Sequence, residues 1–224
     1  MQEFTFIQLL AIWALPVVFA VTVHEAAHGF VARSLGDDTA SRLGRLTLNP
    51  IKHVDPVGTL LVPGLMLLGG ALMGAGGIIF GWAKPVPINA GRFRDPRRGM
   101  AIVAVAGPLS NLIMAFGWAV GLKLLVITGT TAAWGQGVAY MCFAGVLINL
   151  VLLVLNLLPI PPLDGSRVLA ALLPREAATQ YMKVEPYGLV ILTLLLATGV
   201  LGFMIGPPLD GLRIVVFRPL GISL

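Results

Sequence analysis

The chain has 224 residues, of which 57% are hydrophobic and 11% charged, and its mean hydropathy is +0.92. A soluble domain is about one quarter charged, so this composition excludes an ordinary soluble protein and indicates a single integral-membrane domain over residues 1–224. One cysteine excludes an intrachain disulfide and a thiolate metal cluster, and a net charge of +5 without a basic and aromatic array excludes nucleic-acid binding.

The first predicted span covers about residues 4–32 and contains an H-E-x-x-H sequence, which runs from His24 to His28 with Glu25 in second place. Residues four apart lie one above the other on a helix, so both imidazoles can reach one metal ion while Glu25 reaches a water molecule beside it. The pattern is typical of zinc hydrolases, in which the glutamate is the general base. A chance match is the alternative, but an ionisable residue inside a membrane span is costly unless it serves a function.

A polar stretch, residues 34–56, follows this span and contains the third histidine, His53. Its prolines forbid a regular helix, and the alternation of side chains over residues 45–48 predicts a short β-strand. Two interpretations of His53 stay open. It is either a hydrogen-bonding group near the metal site or a loop histidine at the membrane interface beside Asp55.

The apolar segment 57–82 is interrupted by many glycines and by Pro63, which favours a re-entrant hairpin or a two-pass element over a single crossing. The next loop, residues 84–98, is the densest basic stretch and is expected on the cytoplasmic side. Further spans are predicted at about 99–127, 137–158 and 188–206.

Labelling of cysteines introduced at positions 90–98 tests this topology. A hairpin at 57–82 leaves the basic loop on the same side as His24, so we expect labelling from the cytoplasmic side. Labelling from the outside alone would contradict the hairpin, because it would require one more crossing before the loop.

Two aspartates stand in identical Pro-Pro-Leu-Asp-Gly sequences, Asp164 and Asp210. Asp164 follows a span predicted to run from outside to inside, so it lies at the same depth as the two histidines, whereas Asp210 follows a span that ends outside. Two histidines, one carboxylate and an open water position form a catalytic zinc arrangement. The sequence therefore predicts Asp164 as the third ligand and Asp210 as a turn or cap residue.

Four motifs together resemble the site-2 protease family of intramembrane zinc metallopeptidases. They are His24-Glu25-Ala26-Ala27-His28, Asn49-Pro50-Ile51-Lys52-His53, Gly107-Pro108-Leu109-Ser110-Asn111 and the stretch 156–165. The match covers about residues 21–167, and H-E-x-x-H combined with N-x-x-P-x-P-P-L-D-G in a later span is highly specific. No segment has the composition of a PDZ or CBS domain, so the chain resembles a compact member.

The resemblance implies an all-α polytopic membrane protein with a three-helix catalytic core, additional spans and a membrane-associated re-entrant hairpin, with room for short β-strands. It also implies one zinc ion per chain, held by His24, His28 and Asp164, with Glu25 as the catalytic base.

Three further residues match family positions to which the resemblance assigns substrate binding or support of the transition state. They are His53, Asn111 and Asn156. The implied reaction is hydrolysis of a peptide bond within or near the transmembrane helix of a single-pass membrane protein in the lipid bilayer, as in regulated intramembrane proteolysis. The implied location is a bacterial or archaeal cell membrane, with the active site toward the cytoplasm.

A zinc transporter or a non-catalytic scaffold is the alternative function. Either would use the same ligands but would not need Glu25, and transport usually requires several ionisable sites along a path. The sequence leaves the oligomeric state open, with a dimer as one option.

Overall fold

The computed structural model describes residues 5–61, 81, 83–129 and 133–222. Within this part of the chain, four helices are long and apolar enough to cross a bilayer: Ile7–Ser34, Pro96–Ile127, Trp134–Leu157 and Val200–Leu220. The same ranges contain helices and loops but no β-strand. The protein is therefore an all-α polytopic membrane protein, as the sequence predicts.

We number the α-helices in chain order. They are α1 (Phe6–Ser34), α2 (Thr39–Arg42), α3 (Pro96–Ile127), α4 (Ala133–Leu157), α5 (Asp164–Leu172), α6 (Arg175–Met182), α7 (Gly188–Ala197) and α8 (Val200–Phe217). Short 3₁₀ turns lie at Pro50–His53, Ala90–Arg92, Glu185–Tyr187 and Arg218–Leu220, and a π-helical turn lies at Pro56–Leu61.

The three helices α1, α3 and α4 pack against one another and form the core of the bundle. Small residues at the contacts, such as Ala20 of α1 and Ala115 and Ala119 of α3, are fully buried. Such residues let helix backbones approach closely in a membrane, where the hydrophobic effect does not drive helices together. Ala115 and Ala119 belong to a buried apolar cluster that also contains Leu150 of α4 and Phe217 of α8.

Asp37, which follows α1, ties that helix to the loop before α3. Its buried carboxylate accepts hydrogen bonds from the backbone N–H groups of Thr39 (3.0 Å) and Asn89 (2.6 Å), and Arg92 lies 3.9 Å away. Burial alone would raise the pKa of Asp37, but the Thr39 and Asn89 hydrogen bonds and the Arg92 charge more than offset it and hold the pKa below its usual range. The loop is therefore held against the end of α1.

The fold differs from the sequence predictions at residues 45–48 and at residues 188–206. Residues 45–48, predicted as a short strand, are irregular, and the Arg45 side chain instead donates hydrogen bonds to the carbonyl groups of Lys84 and Pro85. The span predicted at 188–206 is two helices, α7 and α8, which separate at Gly199, where the backbone has φ +76°. The apolar helix of membrane length is Val200–Leu220. The predicted hairpin at 57–82 lies mostly outside the described residues.

Candidate metal centre

Two turns of α1 and the first residue of α5 bring three ligand atoms together. The Nε2 atoms of His24 and His28 are 3.0 Å apart, and Oδ2 of Asp164 lies 3.2 Å from the first and 3.3 Å from the second. Both histidines are buried, and the imidazole rings meet edge to face with centroids 4.6 Å apart. The three atoms form a nearly equilateral triangle inside the helix bundle.

The outer nitrogen of each imidazole is already hydrogen-bonded. His28 Nδ1 lies 2.7 Å from the carbonyl oxygen of Val103, and His24 Nδ1 lies 2.6 Å from Oδ1 of Asn111. Both partners are acceptors, because the Asn111 amide nitrogen donates to Asn149 Oδ1 at 2.9 Å. Each Nδ1 therefore carries the proton, and each Nε2 of the neutral ring directs a lone pair into the triangle.

The triangle fits a zinc ion. Ligand atoms about 2.0–2.1 Å from zinc lie about 3.3 Å apart in a tetrahedron, close to the three separations observed. Oδ2 of Asp164 is buried and has no hydrogen-bond partner in the described part of the chain. A carboxylate oxygen and two imidazole lone pairs that converge at these distances suit a cation between them.

Gly107 of α3 forms the wall against which both imidazoles pack. A Cβ atom at this position would lie 2.5 Å from Cε1 of His24 and 2.5 Å from Nε2 of His28. No side chain fits there without moving a ligand. The sequence motif that begins at Gly107 does not reveal this contact, because only the tertiary structure brings the two imidazoles against it.

Replacing Gly107 with alanine is expected to lower zinc occupancy and to reduce peptidase activity about 10²-fold, because displacing a reacting group by about 1 Å costs that much. Gly117 on the same helix is the matched control, since a Cβ there meets nothing within 4 Å. Zinc content by mass spectrometry and cleavage rate measure both variants. Equal behaviour of the two variants would contradict the role of Gly107.

Glu25 lies beside the triangle, half-buried, and its carboxylate is held by a segment distant in sequence. Oε2 of Glu25 accepts a hydrogen bond from the backbone N–H of Val86 at 2.8 Å. We call residues 83–89 the strap. Arg45 holds the strap through the Lys84 and Pro85 carbonyl groups, and the His53 carbonyl accepts the Lys84 N–H at 2.9 Å. The strap therefore lies along the mouth of the site and fixes one oxygen of the carboxylate.

A cavity of about 350 Å³ opens onto the metal centre. Asn156 lines it, with its amide nitrogen donating to the Leu152 carbonyl at 3.0 Å. Asn111 lies behind His24 instead, as that ring's hydrogen-bond partner. His53 is buried outside the residues that line this cavity, and its Nε2 lies 2.9 Å from the Thr47 carbonyl.

Several residues at this site have no counterpart in the sequence predictions. Asn149 of α4 is fully buried, pairs with Asn111 and donates to the Gly145 carbonyl, so it fixes the Asn111 amide behind His24. The sequence does indicate Asn149 in one way, because a polar residue inside a predicted membrane span usually has a function. Arg167 of α5 lines the cavity and pairs with Glu185 at 3.0 Å. No local sequence pattern marks Arg167 or Val86 as a residue of the site.

Asp210 does not join the metal centre. It lies within α8, which continues through Pro207 and Pro208, and its side chain is 71% exposed. Its carboxylate is 3.6 Å from Arg213 on the next turn. The sequence predicted a turn or cap residue; the structure instead places Asp210 on the surface of a helix.

A bundle of membrane-length helices that encloses a His-His-Asp triangle beside a glutamate defines a membrane metallopeptidase. Residues 120–198 match the family model of Peptidase family M50. A protein of Bacillus subtilis (strain 168) named "Putative zinc metalloprotease YwhC" is 38% identical over 212 residues, which cover 92% of this chain and 90% of that protein. The chain therefore belongs to the M50 family of site-2 proteases and is a zinc metalloendopeptidase.

Two mycobacterial proteins named "Putative zinc metalloprotease Rip2" are also similar. The Mycolicibacterium smegmatis protein is 31% identical over 196 residues, which cover 86% of this chain and 68% of that protein. The Mycobacterium tuberculosis (strain H37Rv) protein is 32% identical over 204 residues, which cover 90% of this chain and 71% of that protein. No solved structure matches the chain.

Proposed function

We propose that this chain is an intramembrane protease that hydrolyses a peptide bond within or near the transmembrane helix of a single-pass membrane protein. The observation that supports this proposal is the convergence of His24, His28 and Asp164 inside a bundle of membrane-length helices, with Glu25 beside them. A centre in this position meets substrates that arrive through the lipid.

In this proposal His24, His28 and Asp164 hold the metal, and Glu25 is the general base. When bound, zinc polarises the carbonyl group of the scissile bond and makes water a nucleophile at neutral pH. Glu25 takes the proton from the attacking water and passes it to the leaving nitrogen as the carbon–nitrogen bond breaks. The Val86 N–H holds one oxygen of Glu25, so the second oxygen is the one that accepts the proton.

The surrounding residues keep the ligands in one arrangement. Asn149 orients Asn111, which holds His24 in the tautomer that presents Nε2, while the Val103 carbonyl does the same for His28. Asn156 lines the cavity and is the residue placed to contact a substrate. His53 supports the strap through its backbone carbonyl, so we assign it an indirect role.

The hydrogen bonding of a helical backbone favours an extended substrate. A helix hides its carbonyl groups in hydrogen bonds, so the substrate must unwind before the bond is reached. The cleaved segment therefore enters as an extended chain.

The distribution of basic residues supports a site that faces the cytoplasm. Arg33, Arg42 and Arg45 follow the histidines, and Arg97 and Arg98 begin α3 on the same side of the bundle. Cytoplasmic loops carry an excess of such residues.

The test is cleavage of a model single-pass protein by the purified, zinc-loaded chain in lipid vesicles. We expect products whose new termini lie within or next to the substrate's transmembrane segment, identified by mass spectrometry. Cleavage confined to soluble tails, with the transmembrane segment untouched, would contradict the proposal.

A further inference from the structure

A second cavity, of about 570 Å³, lies between the start of α3 and the helices α5 and α6. Its walls are largely apolar, and three guanidinium groups stand among them. We call it the arginine groove, and the residues that define it are Arg97, Met100, Arg167, Ala170, Arg175 and Ala178.

The charge in this groove is of one sign. No acidic residue lines it, and in the described part of the chain neither Arg97 nor Arg175 forms an ion pair. Arg97 is held in place by donating to the Ala170 carbonyl from Nε (3.2 Å) and Nη2 (3.0 Å), and Arg167 pairs with Glu185 at 3.0 Å. Arg175 is exposed at the first turn of α6. The groove therefore suits an anionic group with an apolar neighbour.

The groove adjoins the metal cavity. Met100 and Arg167 line both of them. Helix α5 begins at the ligand Asp164 and reaches the groove at Ala170, six residues further. At about 1.5 Å per helical residue this is about 9 Å, which an extended peptide covers in about three residues.

We propose that the arginine groove binds the part of the substrate that flanks the scissile bond, and that it selects a carboxylate about three to five residues from that bond. This inference rests on the proposed function and names the substrate chemistry that the site prefers. Guanidinium groups bind carboxylates through paired hydrogen bonds, and the alanine and methionine side chains accept the apolar residues beside it. The walls that the groove shares with the metal cavity favour a peptide over a lipid headgroup as the occupant.

The experiment measures binding with the zinc-loaded Glu25→Gln form of the full chain in nanodiscs of neutral phosphatidylcholine. Two fluorescent single-pass peptides are compared, which differ only in carrying glutamates or lysines three to five residues from the cleavage position. The variant is Arg175→Glu, and Lys183→Glu is its matched control, because Lys183 is also exposed and lines neither cavity.

We expect Arg175→Glu to weaken binding of the glutamate peptide about fivefold to tenfold and to strengthen binding of the lysine peptide, while Lys183→Glu changes neither. The difference should shrink as salt is raised, because the charges are partly exposed. Zinc content equal to that of the parent protein shows that Arg175→Glu is folded.

Two results would overturn the groove as a substrate site. In one, Arg175→Glu and Lys183→Glu have equal effects. In the other, the effect of Arg175→Glu follows added phosphatidylglycerol rather than the peptide, which assigns the groove to an anionic lipid. In a third outcome, the wild-type chain prefers the glutamate peptide as expected and yet cleaves neither peptide. That result would retain the arginine groove as a binding site and reject the proposed function.

Discussion

Replacing Glu25 with glutamine is expected to slow cleavage about 10²- to 10⁴-fold without loss of zinc, which is the usual contribution of a positioned general base. Glutamine has nearly the same shape, and its amide oxygen can still accept the Val86 N–H that now bonds to the carboxylate. It cannot accept a proton from water at neutral pH. The metal ligands are untouched, so the zinc content should remain at one ion per chain.

The measurement combines cleavage of a single-pass substrate in vesicles with metal analysis of the same preparation. Glu176→Gln is the matched control, because it makes the same chemical change at an exposed position of α6 that lines neither cavity. Full activity of the Glu25→Gln chain would remove Glu25 from the mechanism. Loss of zinc together with activity would show that Glu25 has a structural role instead.

The Glu25→Gln variant also distinguishes a protease from the alternative function, a zinc transporter or a scaffold. A zinc transporter or a non-catalytic scaffold uses ligands but no general base, so its behaviour would not depend on Glu25. Glu25 lines the metal cavity and is held by hydrogen bonding to Val86, as a positioned base would be.

Replacing Asp164 with asparagine is expected to weaken zinc binding by more than about 100-fold, and cleavage should fall with it. Loss of a residue that only supports a metal ligand costs about 10- to 100-fold in affinity, and loss of a ligand costs more. The asparagine amide has nearly the same shape but is neutral, so the negative charge that faces the two histidine Nε2 atoms at 3.2 and 3.3 Å is removed.

The chain supplies its own control for this change. Asp210→Asn alters the same five-residue sequence at a position where the side chain is 71% exposed. Its pair with Arg213, at 3.6 Å on the helix surface, contributes no more than about 1 kcal/mol to stability. We expect wild-type zinc content and activity for Asp210→Asn, measured by metal titration with a competing chelator. Equal losses in the two variants would contradict the assignment of Asp164 as a ligand.

Local patterns in the sequence were enough to predict the membrane class and the central motif. The run of apolar residues around His24 and His28 predicts a membrane helix, and four-residue spacing on a helix places the two imidazoles on one face. These features depend on residues that are neighbours in the chain. The break after α4 does not follow from its prolines alone, because the same Pro-Pro-Leu-Asp-Gly sequence lies inside α8 without ending it.

The tertiary structure decided which distant residues meet these imidazoles. His28 pairs with Val103, 75 residues away, His24 pairs with Asn111, 87 residues away, and the strap reaches Glu25 from 61 residues away. A backbone carbonyl or N–H group has no sequence signature, since every residue except proline carries both. Gly107 likewise contacts the imidazole rings of His24 and His28 only in the folded chain, so its local sequence does not reveal that contact.

The two identical Pro-Pro-Leu-Asp-Gly sequences show the division between sequence and structure most directly. Their local chemistry is the same, yet Asp164 begins α5 at the metal centre while Asp210 lies on the surface of α8. The physical reason is the environment each segment meets. Packing of α5 against α3 and α4 turns Asp164 toward the two histidines, whereas the second copy continues an exposed helix.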